Sequence, residues 1–136
     1  MKASYPDFIQ ANPNCSKYAA DPVAQHIFDL LSQDEAIIAM AEAADQNKPA
    51  LGPCVQMVEQ YCGTLAQPSF DIRNDFERTV VGRMVKAVLE PFGYRVTTQK
   101  DLPKRWKGRY FSSASCYALS APEEAAMKIV KTVRPV

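Results

Sequence analysis

Histidine and tryptophan each occur once, at His26 and Trp106, and glycine only five times in 136 residues. With one histidine, any Ser-His-Asp or Cys-His arrangement must be built on His26, and no nucleophile motif accompanies it. His26 therefore reads as a partly buried structural side chain beside the apolar positions of a helix. Scarce glycine also removes the standard phosphate loops, since neither G-x-G-x-x-G nor G-x-x-x-x-G-K-[ST] occurs. No apolar run approaches the roughly 20 residues that cross a bilayer. The stretch from Met1 to Gln10 lacks the basic-then-apolar layout of a secretory signal. These absences predict a cytoplasmic protein with no membrane partner.

The four cysteines, Cys15, Cys54, Cys62 and Cys116, form no C-x-x-C pair, and the chain is too long for a disulfide mini-protein. A zinc site would require Cys15, His26, Cys54 and Cys62 to converge from a spacing unlike any standard module, so neither metal nor cofactor is expected. The sequon Asn14-Cys15-Ser16 carries no weight without an export signal. The carboxylate pairs Asp34-Glu35 and Glu123-Glu124 stand at predicted helix starts, where the helix dipole accounts for them. With no catalytic set recognisable, the chain reads as non-enzymatic.

What is present is ample apolar material, 47% of residues, enough for one core without staples. The 23% charged fraction argues against general disorder. The net charge of +1 conceals a segregation: residues 1–94 hold 7 Lys and Arg against 12 Asp and Glu, residues 95–121 hold 6 against 1, and residues 122–136 hold 3 against 2. An acidic body with a compact basic segment is directed toward a polyanion or an acidic partner.

Along the chain, residues 1–20 show neither helical nor strand period and read as a surface arm tacked down by Tyr5, Phe8 and Tyr18, ahead of a single domain over 21–136. Asp21-Pro22 is an N-cap followed by proline at the first helical position, and Val23, Ile27, Leu30 and Leu31 make the buried stripe of the helix that follows. Ser32 is expected to cap a second helix to about Asn47, with Ile37, Met40, Ala41 and Ala44 inward. After Lys48-Pro49, a third helix carries Cys54, Val55, Met57, Val58, Tyr61, Cys62 and Leu65 and ends near Gly63. The longest helix is predicted from Asp71 to Leu89. Val80, Val81, Met84, Val85, Val88 and Leu89 make it the central core helix, Gly82 suggests a close helix approach, and Pro91 and Gly93 stop it. The methionines on these faces read as core filling.

From Tyr94 the period changes to two, and Tyr110 to Leu119 is a second strand-like segment, so the two predict a hairpin around Lys100 to Arg109. Ala121-Pro122 then opens a short final helix. The expected fold class is α+β: a helix-rich single domain of four to five helices with a C-terminal two-stranded β-hairpin, resembling a winged helix in its order of elements.

The strongest functional signal is the basic loop, where Lys104, Arg105, Lys107 and Arg109 surround Trp106 and adjoin Tyr110 and Phe111. Cations meet phosphates while an aromatic stacks on a base. Arg83 and Lys86 are the expected helix contacts, with Arg73 and Arg78 on the same element and Glu77 and Glu90 opposing them. The plainer reading is a solvated hairpin tip. The leading expectation is a non-enzymatic nucleic-acid-binding or regulatory protein. The alternative is a modulator or inhibitor that binds an acidic protein surface.

The stretch from Phe76 to Tyr117, with Val81-Gly82-Arg83-Met84-Val85-Lys86, Pro91-Phe92-Gly93-Tyr94 and Tyr110-Phe111-Ser112-Ser113-Ala114, resembles small uncharacterised proteins of gut Firmicutes and their mobile elements. The resemblance implies a bacterial or phage cytoplasmic setting and supplies no site residues. In that setting the protein-binding alternative includes a host-defence component as partner.

Overall fold

In the computed structural model of the protein, which describes residues 2–46, 50–98 and 116–119, helical structure begins almost at the N-terminus. Ser4, in extended backbone, accepts a hydrogen bond from the Asp7 N–H and starts helix α1, Tyr5–Ala11. Pro13 then opens a 3-10 helix, Pro13–Tyr18. Tyr5, Phe8, Cys15 and Tyr18 are all buried in the common core. The rings of Tyr5, Phe8 and Phe28 meet at centroid distances of 5.5 to 5.8 Å. The segment read from sequence as an arm without regular structure is thus two helical pieces. Two apolar anchors in a seven-residue helix are too few to show a period, although Ser4-x-x-Asp7 is a capping signal.

Helix α2, Pro22–Leu31, starts as expected, with the Asp21 carboxylate accepting from the N–H groups of Val23 and Ala24. It buries Ala24, Ile27, Phe28 and Leu31, while Val23 and Leu30 are only half-buried at its edge. Ser32 does not cap the next helix. Its hydroxyl donates back to the Phe28 carbonyl and closes α2, leaving Gln33 as the uncapped N-terminus of α3, Asp34–Asp45. The four residues predicted to face inward from α3, Ile37, Met40, Ala41 and Ala44, are buried. Helix α4, Gly52–Gly63, buries Cys54, Val58 and Cys62, with Val55, Met57 and Tyr61 packed at the margin.

Helix α5, Asp75–Leu89, begins four residues later than the sequence suggested. Asn74 accepts from the N–H groups of Phe76 and Glu77, and the Asn74 N–H donates to the Asp71 carbonyl, so residues 71–74 form a turn. All six predicted core residues of α5, Val80, Val81, Met84, Val85, Val88 and Leu89, are buried. Gly82 lies half-buried beside them. The helix tightens into a 3-10 turn, Glu90–Phe92, and ends at Gly93, whose φ of 95° is open to glycine at little cost. Helix α2 touches α1, α3, α4 and α5, and α3 lies along α4, so one cluster of apolar side chains serves every helix.

The expected α+β, winged-helix-like class is overturned. The described body is helical, and the two short strands that follow it lie against α5, the second also reaching α3. Among the described residues the four-residue strands β1, Arg95–Thr98, and β2, Cys116–Leu119, pair with each other alone, antiparallel. A winged helix also needs its last helix free to enter a groove, whereas α5 has most of its circumference in the core and leaves a stripe about one residue wide. The loop expected over Lys100 to Arg109, the first part of the strand expected from Tyr110, and the final helix expected from Ala121 lie outside the described residues.

Candidate nucleic-acid interface

Of the side chains singled out for nucleic-acid contact, Lys104, Arg105, Trp106, Lys107 and Arg109 lie outside the described residues. Arg83 and Lys86 are exposed on α5. The exposed positions of this helix after its first residue are Phe76, Thr79, Arg83, Lys86 and Glu90 at its cap, a spacing of three and four that draws a single line along the surface. Lys86 Nζ lies 3.8 Å from Glu90 Oε1. Such an exposed pair contributes little to stability and releases its cation readily.

The other cations of the body are engaged to different degrees. Arg73 grips Asp71 through Nε and Nη2 at 2.7 to 3.0 Å, which holds the Asp71 carboxyl below the usual carboxylate range. Arg78 Nη1 stands 3.8 Å from Glu59 Oε1, and its Nε is buried without a hydrogen-bond partner. Lys2 pairs with Asp34. Among the described cations that precede the strands, Lys17 and Arg83 form no ion pair. Lys17 Nζ sits 4.7 Å from the centroid of the Phe76 ring and 5.1 Å from that of Tyr18. Lys17 and Arg83 both lie close enough to the buried Cys15 to oppose the rise in its thiol pKa that burial causes. Lys17 thus stands at the Phe76 end of the exposed line on α5, with Arg83 two turns further along the same line.

The corner where the 3-10 helix meets α5 is held by a chain of hydrogen bonds. The Tyr5 hydroxyl donates to the Tyr18 carbonyl at 2.6 Å, and the Tyr18 hydroxyl donates to Glu77 Oε2 at 2.9 Å. Glu77 Oε1 accepts from the Asp71 N–H at 3.0 Å. Asp21 accepts from the Ser69 hydroxyl at 2.9 Å besides capping α2. Burial, aided for Tyr18 by its bond to Glu77, pushes both tyrosine hydroxyls up to about 12. Glu77, expected to repel phosphate, is thus spent on fastening the N-terminal segment to α5.

His26 is exposed, with its ring tilted against that of Tyr61 at a centroid distance of 4.3 Å, so the histidine expected to be partly buried is a surface residue set against α4. Cys15, Cys54 and Cys62 are free and buried, and burial raises all three thiols, Cys54 to about 11. Among the described residues no three His, Cys, Asp or Glu side chains gather as metal ligands. No helix among them is long and apolar enough to cross a membrane. Nothing in the local sequence marks Phe76 or Lys17 as a surface contact. Phe76 precedes the apolar run of α5, and only its position on the helix circumference distinguishes it from a core residue. Comparison with family models, with curated proteins and with solved structures yields no match.

Proposed function

We propose that the protein is a non-enzymatic, cytoplasmic nucleic-acid-binding protein whose principal contacts are Lys104, Arg105, Trp106, Lys107 and Arg109, with Arg83 and Lys86 contributing from α5. The observation that carries this reading is the segregation of charge, −5 over residues 1–94 against +5 over residues 95–121. An acidic body disfavours most approaches of a polyanion other than those led by its basic segment, which orients the encounter. Further support comes from the pairing of Thr98 with Cys116, which brings the two ends of the basic stretch to neighbouring backbone positions. That stretch, 99–115, holds five cations and one carboxylate.

Phosphate contacts release counterions, so four of them predict a slope of log affinity against log salt of about −3 to −4 on duplex DNA. The test is fluorescence anisotropy of labelled duplex and single strands across a salt series, comparing the natural protein with Lys104→Ala/Arg105→Ala/Lys107→Ala. Salt-sensitive binding that disappears in the triple variant, with its circular dichroism unchanged, is the expected result. Absence of binding at low salt would overturn it and direct the search to an acidic protein surface.

A further inference from the structure

Phe76 is the one large hydrophobic side chain left open among the described residues, with 56% of its surface in solvent. It stands at the N-terminal end of the exposed line on α5, with the Lys17 ammonium 4.7 Å from its ring and Arg83 and Lys86 following on the same line. At 1.5 Å per residue, Phe76 and Lys86 are separated by about 15 Å along the helix. An open aromatic ring beside a row of cations is the arrangement that single-strand binders use, the ring stacking on a base while the cations track the backbone. A duplex keeps its bases within the stack and admits such a ring only by unstacking a step, a cost that a single strand does not impose. A protein partner would require a broader apolar centre than one phenyl group provides.

We propose that the exposed line of α5, together with Lys17, is a second contact surface for single-stranded nucleic acid, with Phe76 stacking on a base and Lys17, Arg83 and Lys86 holding flanking phosphates. This rests on the nucleic-acid reading above and adds two residues and a strand preference to it. Nearby carboxylates are largely engaged. Glu77 is bonded to Tyr18 and to the Asp71 N–H, Asp71 is gripped by Arg73, and Glu90 pairs with Lys86. Asp75, in the first turn of α5, borders the surface and limits its affinity. Lys17 and Arg83 have no carboxylate to surrender when a phosphate arrives, so their contribution carries no cost of breaking a pair.

The test uses the full chain and a fluorescent single-stranded oligothymidylate, read by anisotropy over a salt series, with an abasic strand of equal length as control. Phe76→Ala should weaken binding to the base-bearing strand at least about fivefold and change binding to the abasic strand little, whereas Phe76→Trp should retain affinity. Lys17→Ala/Arg83→Ala should make the salt slope shallower by about 1.4, two single-strand phosphate contacts at about 0.7 each. Urea midpoints close to that of the natural protein exclude misfolding as the cause. If the natural protein binds and Lys104→Ala/Arg105→Ala/Lys107→Ala abolishes binding while Phe76→Ala leaves it unchanged, the α5 surface is overturned and the loop reading stands. Loss with Phe76→Ala but not with the triple variant upholds the α5 surface and overturns the loop. No binding by the natural protein overturns both.

Discussion

Tyr18 joins the two ends of the body: its carbonyl receives the Tyr5 hydroxyl and its own hydroxyl reaches Glu77 on α5. Replacing it by phenylalanine keeps the contact with Phe70, whose ring lies edge-on at 5.0 Å, and removes one hydrogen bond. Tyr18→Phe should therefore cost about 1 kcal/mol in urea unfolding. The two tyrosines also set the alkaline behaviour. Their hydroxyls are raised to about 12 in the folded state and ionise near 10 in an unfolded chain. The stability they contribute is complete below pH of about 10 and is lost as pH rises toward 12. Urea midpoints measured across that window should fall, and fall less steeply for Tyr18→Phe. At the acid end the sign reverses. The Arg73 guanidinium holds the Asp71 carboxyl low, so its contribution is present above about pH 4 and is lost as the pH falls through the lowered value. Asp71→Asn should flatten that limb of the stability profile. The Tyr18–Glu77 coupling is not legible in sequence, because the two residues are 59 positions apart, whereas Asp71 and Arg73 are only two apart.

At the scale of elements, the contrast between α2 and α3 is a matter of caps. Asp21 satisfies two N–H groups of α2 and holds the Ser69 hydroxyl as well, and Asp21→Ala should cost about 1 to 2 kcal/mol. Gln33 has the extended backbone of an N-cap, with ψ of 148°, but no side-chain hydrogen bond to α3. Gln33→Ser should stabilise the protein by about 0.5 to 1 kcal/mol, read as a higher urea midpoint. The helices and their buried faces were legible because 10- to 15-residue segments show enough apolar recurrences to define a face. Their first residues were not always so. Ser32 stands between two helices that both have a use for it, and Asn74 competes with Asp71 for the start of α5. Each contest is decided by which N–H or carbonyl group lies within reach, a matter of geometry rather than composition.

Across the whole molecule, residues 5–18 belong to the same core as the longer helices, tied in by the aromatic trio of Tyr5, Phe8 and Phe28. Phe8→Ala should destabilise the entire body by about 3 to 5 kcal/mol, in one transition followed by both far-UV and near-UV circular dichroism. A separate arm would leave the main transition where it is. The same integration governs the candidate interface, since Lys17 meets Phe76 only because the 3-10 helix is fastened against α5.

Local sequence was enough for the inward faces of α3 and α5, the cap and proline that open α2, the glycine that ends the fourth long helix, and the concentration of positive charge in residues 95–121. Each follows from local spacing or from a count, which need no knowledge of what lies opposite. It took the assembled fold to show that residues 5–11 and 13–18 are helical, that α5 is too deeply buried to serve as a winged-helix recognition helix, that His26 is a surface residue, and that Lys17, Phe76 and Arg83 share one face. These depend on which surfaces are covered by segments distant in the chain, and burial of that kind is a property of the assembled fold.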